Sequence, residues 1–363
     1  MRWDIFCQIV DNYGDAGVCW RLAKSLTSIH KQEVRLYCDD LPTMHLLVAG
    51  YFTGTANNPD PQIEILPWEA SFDNARHTVL PPDVVIEAFG CNPPNRYLST
   101  LLSAPRLPLL MNLEYLSAER WVGDYHAKPS PQSHGLPKVF FFPGFDTDTG
   151  GLLIDPVVPE GVTTKDAIPA SLSPTWSHLR PHARRISVFC YPDAPLRQWL
   201  EDLAHTGQDY DVLLAYGQDK LLASASGEPL EFPATIKLFS IPFVPQDDYD
   251  WLLSQCELNI VRGEDSFVRA QLAGRPFIWH IYPQEDGAHE GKLAAFLARY
   301  LEYGDPKIAK ACRLANDWAL PSLYIDSLPD WKTHAKIWRK TLLLNNADGG
   351  LAGRLMQFAT RHR

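Results

Sequence analysis

The 363-residue chain has no long apolar run, no basic run and no paired cysteines, and each gap excludes a class of protein. No hydrophobic stretch approaches the roughly 18 residues that a membrane-spanning helix needs. The formal net charge is −10 and lysine and arginine never cluster. That argues against nucleic acid as a ligand, because neutralised phosphates supply most of such affinity. An acidic surface suits a cationic partner or substrate better, although net charge alone is a weak pointer. The seven cysteines, at positions 7, 19, 38, 91, 190, 256 and 312, never form a CxxC pair. Scattered and odd in number, they read as neither a disulfide framework nor a zinc site, and fit a reduced compartment. The first apolar run already carries Asp4, so no secretory leader is expected and the expected location is the cytoplasm. No fixed-period repeat, low-complexity tract or GxxxxGK[ST] phosphate loop occurs.

What is present is ordinary globular composition, 45% hydrophobic and 21% charged, which argues against disorder. The length favours two domains of somewhat under ~200 residues each. In the first half, apolar runs at 2–9, 33–38, 62–66, 83–88, 107–113 and 138–142 read as strands, alternating with helical stretches at 17–29, 41–49 and 93–103. Runs such as Val84-Val85-Ile86 are apolar throughout rather than alternating, as in strands buried on both faces of a parallel sheet. From about 145 to 183 glycine and proline break the pattern, which places an interdomain segment there. A second set follows, with strands at 185–191, 210–216, 235–240, 257–261 and 276–281 and helices at 194–206, 246–254, 265–273 and 288–300. The stretch 305–361 is mostly helical. The expected fold is α/β: two tandem Rossmann-like domains facing a central cleft, 1–175 and 176–345, with a final helix at 346–363 crossing back to the first.

Two segments combine strand, polar turn and helix. The first runs from Arg2 to Val10, through Asp11-Asn12-Tyr13-Gly14-Asp15-Ala16-Gly17, into an amphipathic helix. Such a unit opens onto the crevice where α/β sheets bind ligands. Two aspartates four residues apart there place acid–base chemistry where a substrate would lie. Helix capping by Asp and turn formation by Gly14 and Gly17 explain the same residues equally well. The second segment is Glu257-Leu258-Asn259-Ile260-Val261, then Arg262-Gly263-Glu264-Asp265-Ser266, then a helix. A helix N-terminus and an arginine fork suit a phosphate; the alternative is that Asp265 or Ser266 caps the helix and Arg262 pairs with a surface carboxylate.

Four separated motifs, MRWDIFCQIVDNYGDAGVCWRLAKSL, NLEYLSAERWV at 112–122, FFFPGF at 140–145 and RGEDSFVRAQLAGRPFIWHIYPQ at 262–284, closely resemble the bacterial protein-arginine rhamnosyltransferases of the EarP family. The resemblance covers essentially the whole chain. It implies a glycosyltransferase of the B-type (GT-B) fold that needs no metal or other cofactor. Such an enzyme transfers L-rhamnose from dTDP-β-L-rhamnose to one arginine of elongation factor P, inverting the anomeric centre, and the modified factor relieves ribosomes stalled at polyproline. Position by position, the family's loop aspartates match Asp11 and Asp15, with Asn12, Tyr13, Gly14 and Gly17 as substrate-contacting neighbours. Its Arg-Gly-Glu-Asp-Ser turn matches Arg262, Glu264, Asp265 and Ser266. Its nucleotide-contacting aromatics match Phe189, Tyr191 and Phe243, with Gln246 and Tyr282 as further candidates.

Such a transfer is an in-line displacement at the anomeric carbon. A guanidinium is a poor nucleophile because it is always protonated in ordinary surroundings. A carboxylate can hold it, orient it and take a proton as the C–N bond forms. Asp15 is the expected base and Asp11 the orienting partner, an assignment that spacing leaves open to reversal. An ordinary aspartate (pKa ~3.9) is too weak to deprotonate a free guanidinium outright, so proton loss is expected to be concerted with bond formation. Arg262 and the N–H groups around Asp265 and Ser266 suit the departing diphosphate. Glu264 is a further catalytic candidate, bonding sugar hydroxyls, fixing Arg262 or assisting the acceptor arginine. Phe189, Tyr191 and Phe243 suit stacking on thymine, at ~1–3 kcal/mol per stacked base, though residues alone fit core packing better. His280 reads as a satisfied core histidine and Asp247-Asp248 as helix caps. A transferase of the same fold acting on a small-molecule acceptor is the alternative function, and a non-catalytic nucleotide-binding regulator a more distant one.

Overall fold

The computed structural model describes residues 1–10, 13–52, 63–72, 80–132, 135–154, 168–223, 227–284 and 287–362. Asp11 and Asn12 lie outside the described residues. The chain divides into two compact units, Met1–Pro156 with Leu343–Arg363, and Val157–Leu342.

The first unit is built on β1 (Arg2–Cys7), β2 (Glu33–Cys38), β3 (Ile63–Pro67), β4 (Val84–Ala88), β5 (Leu109–Leu113) and β6 (Lys138–Phe141), with helices α1 (Tyr13–Ser28), α2 (Leu41–Phe52), α3 (Asn95–Leu101) and α4 (Trp121–Tyr125) between them. The strands form one parallel sheet in the order β3-β2-β1-β4-β5-β6. Every residue of β4 and β5 is buried, which accounts for the apolar runs Val84-Val85-Ile86 and Leu109-Leu110-Met111. Asp4 interrupts β1 because it is the partner of Arg35 on β2. The guanidinium donates to both carboxylate oxygens, at 2.6 and 2.9 Å, and the Tyr97 hydroxyl adds a third bond at 2.6 Å. Phe6, Tyr37 and Tyr97 pack around this buried pair, with Phe6 and Tyr37 stacked at 4.7 Å.

The second unit carries α5 (Ser173–Trp176), β7 (Arg184–Val188), α6 (Leu196–Ala204), β8 (Tyr210–Leu214), β9 (Ile236–Ser240), α7 (Gln246–Gln255), β10 (Leu258–Arg262), α8 (Glu264–Leu272), β11 (Phe277–His280), α9 (Ala288–Tyr300), α10 (Pro306–Asn316) and α11 (Leu328–Asn345). Its parallel sheet runs β11-β10-β7-β8-β9. Helix α6 buries Leu196, Trp199, Leu200 and Leu203, the three-and-four spacing of an amphipathic helix. Phe267 on α8 stacks on Trp279 of β11 at 3.7 Å and meets Phe296 of α9 edge-on.

The chain returns to the first unit at Leu343, within α11, and ends in α12 (Gly350–His362). Asn346 accepts the Leu152 N–H at 2.9 Å, Arg354 donates to the Thr149 carbonyl at 2.9 Å, and Phe358 meets Phe141 edge-on. Gly350 has φ +56, and a Cβ there would collide with the Leu152 carbonyl, so glycine alone lets this helix begin against that loop.

Several element bounds depart from the pattern-based expectation by a few residues, and two of these departures shape the site. Helix α1 begins at Tyr13 rather than at 17, so Gly14, Asp15 and Gly17 are helical and do not make the turn. Asp15 sits in the first helical turn, accepts the Val10 N–H at 2.9 Å and places negative charge at the positive end of the helix. Strand β7 ends at Val188 rather than at 191. Phe189 N–H still donates to the Ile260 carbonyl at 2.9 Å, and beyond it side-chain acceptors replace the sheet ladder: Cys190 N–H donates to Gln218 Oε1 at 2.9 Å and Tyr191 N–H to His280 Nδ1 at 3.1 Å.

Candidate functional site

In each sheet the connections reverse direction once, between β1 and β4 in the first unit and between β7 and β10 in the second. The carboxyl ends of strands at such a reversal are where open α/β sheets bind ligands. The sequence-predicted residues that the structure describes fall at or near these two ends.

In the first unit the central group is Asp15, which is 3% exposed. Its Oδ2 accepts the Val10 N–H and its Oδ1 lies 3.3 Å from the Tyr115 hydroxyl, which donates to it. The thiols of Cys7 and Cys19 lie within electrostatic range of Asp15. Hydrogen bonding to Cys19, followed by burial, pushes the Cys7 thiol well above the usual range. Tyr13, Gly14 and Gly17 share the first turns of α1 with Asp15. Around the ends of β4 and β5, Glu87 pairs with Lys138 at 2.7 Å and also accepts the Asn92 N–H, while Asn112 accepts the Gly90 N–H.

In the second unit the central group is Arg262, at the end of β10. Its guanidinium carbon lies 4.4 Å from the centre of the Phe189 ring and 4.7 Å from that of Tyr191, and Nη1 donates to the Cys190 carbonyl at 3.4 Å. Tyr282 meets Tyr191 edge-on at 5.4 Å. The structure thus gathers Phe189, Tyr191, Arg262 and Tyr282 into one cluster, with Phe189 and Tyr191 ordering the cation. Phe243 meets Tyr216 edge-on at 5.7 Å. Gln246, the first residue of α7, donates to Asp265 Oδ2 at 3.2 Å.

Gly263 occupies the N-cap of α8 with φ 63 and ψ −175, a region essentially reserved for glycine. Neither Asp265 nor Ser266 caps that helix. Asp265 is engaged by Gln246, and the Ser266 hydroxyl donates back to the Arg262 carbonyl. Glu264 opens the helix beside them. Asp247 and Asp248 likewise occupy the first turn of α7 behind Pro245 rather than its N-cap, and Asp248 accepts the Ser171 hydroxyl.

His280 is satisfied, yet it belongs to this cluster rather than to an inert core. Its Nδ1 accepts the Tyr191 N–H and its Nε2 faces Asp193 at 3.6 Å. Burial, and then the charge of Arg262, hold the ring below the usual histidine range, which keeps Nδ1 an acceptor. Among the described residues, no group of three or more His, Cys, Asp or Glu side chains is placed to hold a metal ion. No described helix is long and apolar enough to cross a membrane.

A family model described as the elongation factor P (EF-P) rhamnosyltransferase EarP matches residues 3–360. The chain belongs to the EarP family. It is 44% identical to a protein-arginine rhamnosyltransferase of Pseudomonas putida, covering 82% of this chain and 81% of that one, and 38% identical to the protein of the same name from Pseudomonas aeruginosa, covering 98% of both. Among solved structures, a chain from a study of EarP-mediated arginine glycosylation of translation elongation factor EF-P superimposes with a TM-score of 0.60 at 28% identity, covering 99% of both. The glycosyltransferase VinC, solved with dTDP, superimposes with a TM-score of 0.54 at 12% identity over 99% of both chains, a likeness of fold alone. The chain accordingly has the GT-B glycosyltransferase fold of two parallel-sheet α/β units.

Sequence reasoning gave no role to Tyr115, Phe89 or Gln218. Tyr115 stands inside the NLEYLS motif of the EarP resemblance, but nothing in its spacing connects it to Asp15, 100 residues earlier. Phe89 carries no sequence signal; only its positive φ of 56 marks it.

Proposed function

We propose that this chain is an inverting glycosyltransferase that moves L-rhamnose from dTDP-β-L-rhamnose to one arginine side chain of elongation factor P. On this reading the modified factor relieves ribosomes stalled at polyproline, and the reaction runs in the cytoplasm without a metal. The observation that carries it is the buried Asp15 carboxylate at the carboxyl edge of the first sheet, in a chain that matches the EarP family along residues 3–360.

The chemistry follows from what each group already holds. Asp15 accepts the Val10 N–H on one oxygen and the Tyr115 hydroxyl on the other, so its carboxylate is already held in place at the strand edge. A carboxylate so placed can orient the arginine nitrogen and receive its proton as the C–N bond forms. As the anomeric C–O bond breaks, negative charge collects on the departing diphosphate. Arg262 answers that charge with a planar fork already ordered by Phe189 and Tyr191, and the backbone N–H groups opening α8 add aligned dipoles. Preorganised donors of this kind stabilise a leaving diphosphate without a divalent cation.

The test is intact-mass spectrometry of unmodified elongation factor P after incubation with the protein and dTDP-β-L-rhamnose in the presence of a chelator. One added deoxyhexose, located on arginine, is the expected result. No mass change while dTDP still binds overturns the acceptor assignment, and activity lost with chelator and restored by a divalent cation overturns metal independence.

A further inference from the structure

We propose that Tyr115 is a positioning residue for the transfer, clamped by Phe89 so that its hydroxyl fixes the plane of the Asp15 carboxylate. This rests on reading Asp15 as the base. Tyr115 lies two positions beyond the end of β5 and is 39% exposed, so burial does not hold it. Its ring instead lies flat on Phe89, with centroids 4.3 Å apart and planes 12° from parallel. Phe89 follows β4 and has a left-handed backbone, φ +56, a conformation that a bulky residue adopts at a cost and that gathers at functional positions.

The surroundings hold that strained residue in place. The Phe89 N–H donates to the Leu113 carbonyl at 2.7 Å, carrying the β4–β5 pairing one residue further. The next backbone groups are anchored to side chains: Gly90 N–H to Asn112 Oδ1 at 3.2 Å, and Asn92 N–H to Glu87 Oε1 at 3.1 Å. Glu87 is in turn fixed by Lys138. The Phe89 ring is therefore a platform set by the sheet edge, and Tyr115 is stacked on it with its hydroxyl toward Asp15.

With Val10 N–H on Oδ2 and Tyr115 O–H on Oδ1, two segments from opposite sides of the sheet order hold one carboxylate. Donors on both oxygens oppose rotation about the Cβ–Cγ bond, which decides the plane the carboxylate presents to the acceptor. Misplacing a reacting group by about 1 Å can cost on the order of 100-fold in rate, so this orientation bears on turnover rather than on donor affinity.

The decisive variant is Tyr115→Phe, which keeps the stacked ring and removes the hydroxyl. The expected result with unmodified elongation factor P is a fall in kcat of about tenfold, the effect of one hydrogen bond to a charged group. The Kd for dTDP, the KM for the acceptor and the Tm should be unchanged. Phe89→Leu removes the platform but keeps the hydroxyl, and should lower kcat in the same sense. Wild-type kcat in Tyr115→Phe, with Asp15→Asn inactive, overturns the positioning role alone. A loss confined to the acceptor KM also overturns it, by making Tyr115 a substrate contact. Turnover retained in Asp15→Asn removes the underlying base assignment instead.

Discussion

The guanidinium of Arg262 lies over the face of Phe189, 4.4 Å from the ring centre, at the carboxyl edge of the second sheet. Stacking of this kind suits a delocalised planar cation better than a compact ammonium. Arg262→Lys keeps the charge but loses the stacking and the fork, so its affinity for dTDP should fall by about tenfold. Isothermal titration checks this, and an unchanged Kd would take Arg262 out of diphosphate recognition.

Asp15→Asn preserves shape and removes the proposed proton acceptor. Turnover should drop by at least about 100-fold, the lower end of general-base contributions, while dTDP binding by the second unit is retained. Near-normal turnover would move the base assignment to another carboxylate, with Asp11 next in line.

The Asp4–Arg35 pair is a matter of stability. Asp4 is fully buried and Arg35 nearly so, and removing one partner of a buried pair strands the other charge at a cost of about 3–5 kcal/mol. Arg35→Met should lose about that much in urea unfolding of the whole protein. A change below about 1 kcal/mol would show that water or the Tyr97 hydroxyl already compensates Asp4.

His126 gives the fold an acid limit. Its Nδ1 accepts the Phe142 N–H at 3.1 Å, and burial, then the charge of Arg354, lower its pKa from 6.5 to about 4. The unfolded chain takes up this proton below 6.5 while the folded chain resists until about 4, so stability falls as pH drops through that window. His126→Gln should flatten the Tm profile between pH 6.5 and 4 relative to wild type. Parallel profiles would mean that the ring titrates alike in both states.

Gly263 should tolerate no side chain. At φ 63 and ψ −175 an alanine is strained by about 1–3 kcal/mol, and relief of that strain moves Glu264, Asp265 and Ser266 together. Gly263→Ala should therefore weaken dTDP binding as well as lower the Tm. A lowered Tm with the Kd unchanged would separate the α8 N-terminus from the nucleotide.

The element pattern was readable from sequence because it is local. The apolar runs Val84-Val85-Ile86 and Leu109-Leu110-Met111 announce strands buried on both faces, and the spacing of Leu196, Trp199, Leu200 and Leu203 announces a helix. The strand-to-helix junction at Arg262-Gly263 was readable too, since glycine and the polar residues flanking a strand are neighbours in the chain, although Glu264, Asp265 and Ser266 open α8 rather than extend the turn. The start of α1 was misplaced because two glycines near a turn look like turn formers. A first-turn carboxylate that binds the Val10 N–H outweighs their low helix propensity.

By itself, then, the sequence determined two parallel α/β units, a carboxylate after the first strand and a cationic turn after the tenth. Only the tertiary structure decided what those groups touch. Tyr115 reaches Asp15 across 100 residues and His280 reaches Tyr191 across 89. These contacts exist because the strand orders set β4 and β5 on one side of β1, and β10 and β11 on one side of β7. Strand order is settled by burying whole apolar faces against one another, a cooperative property that no local spacing encodes.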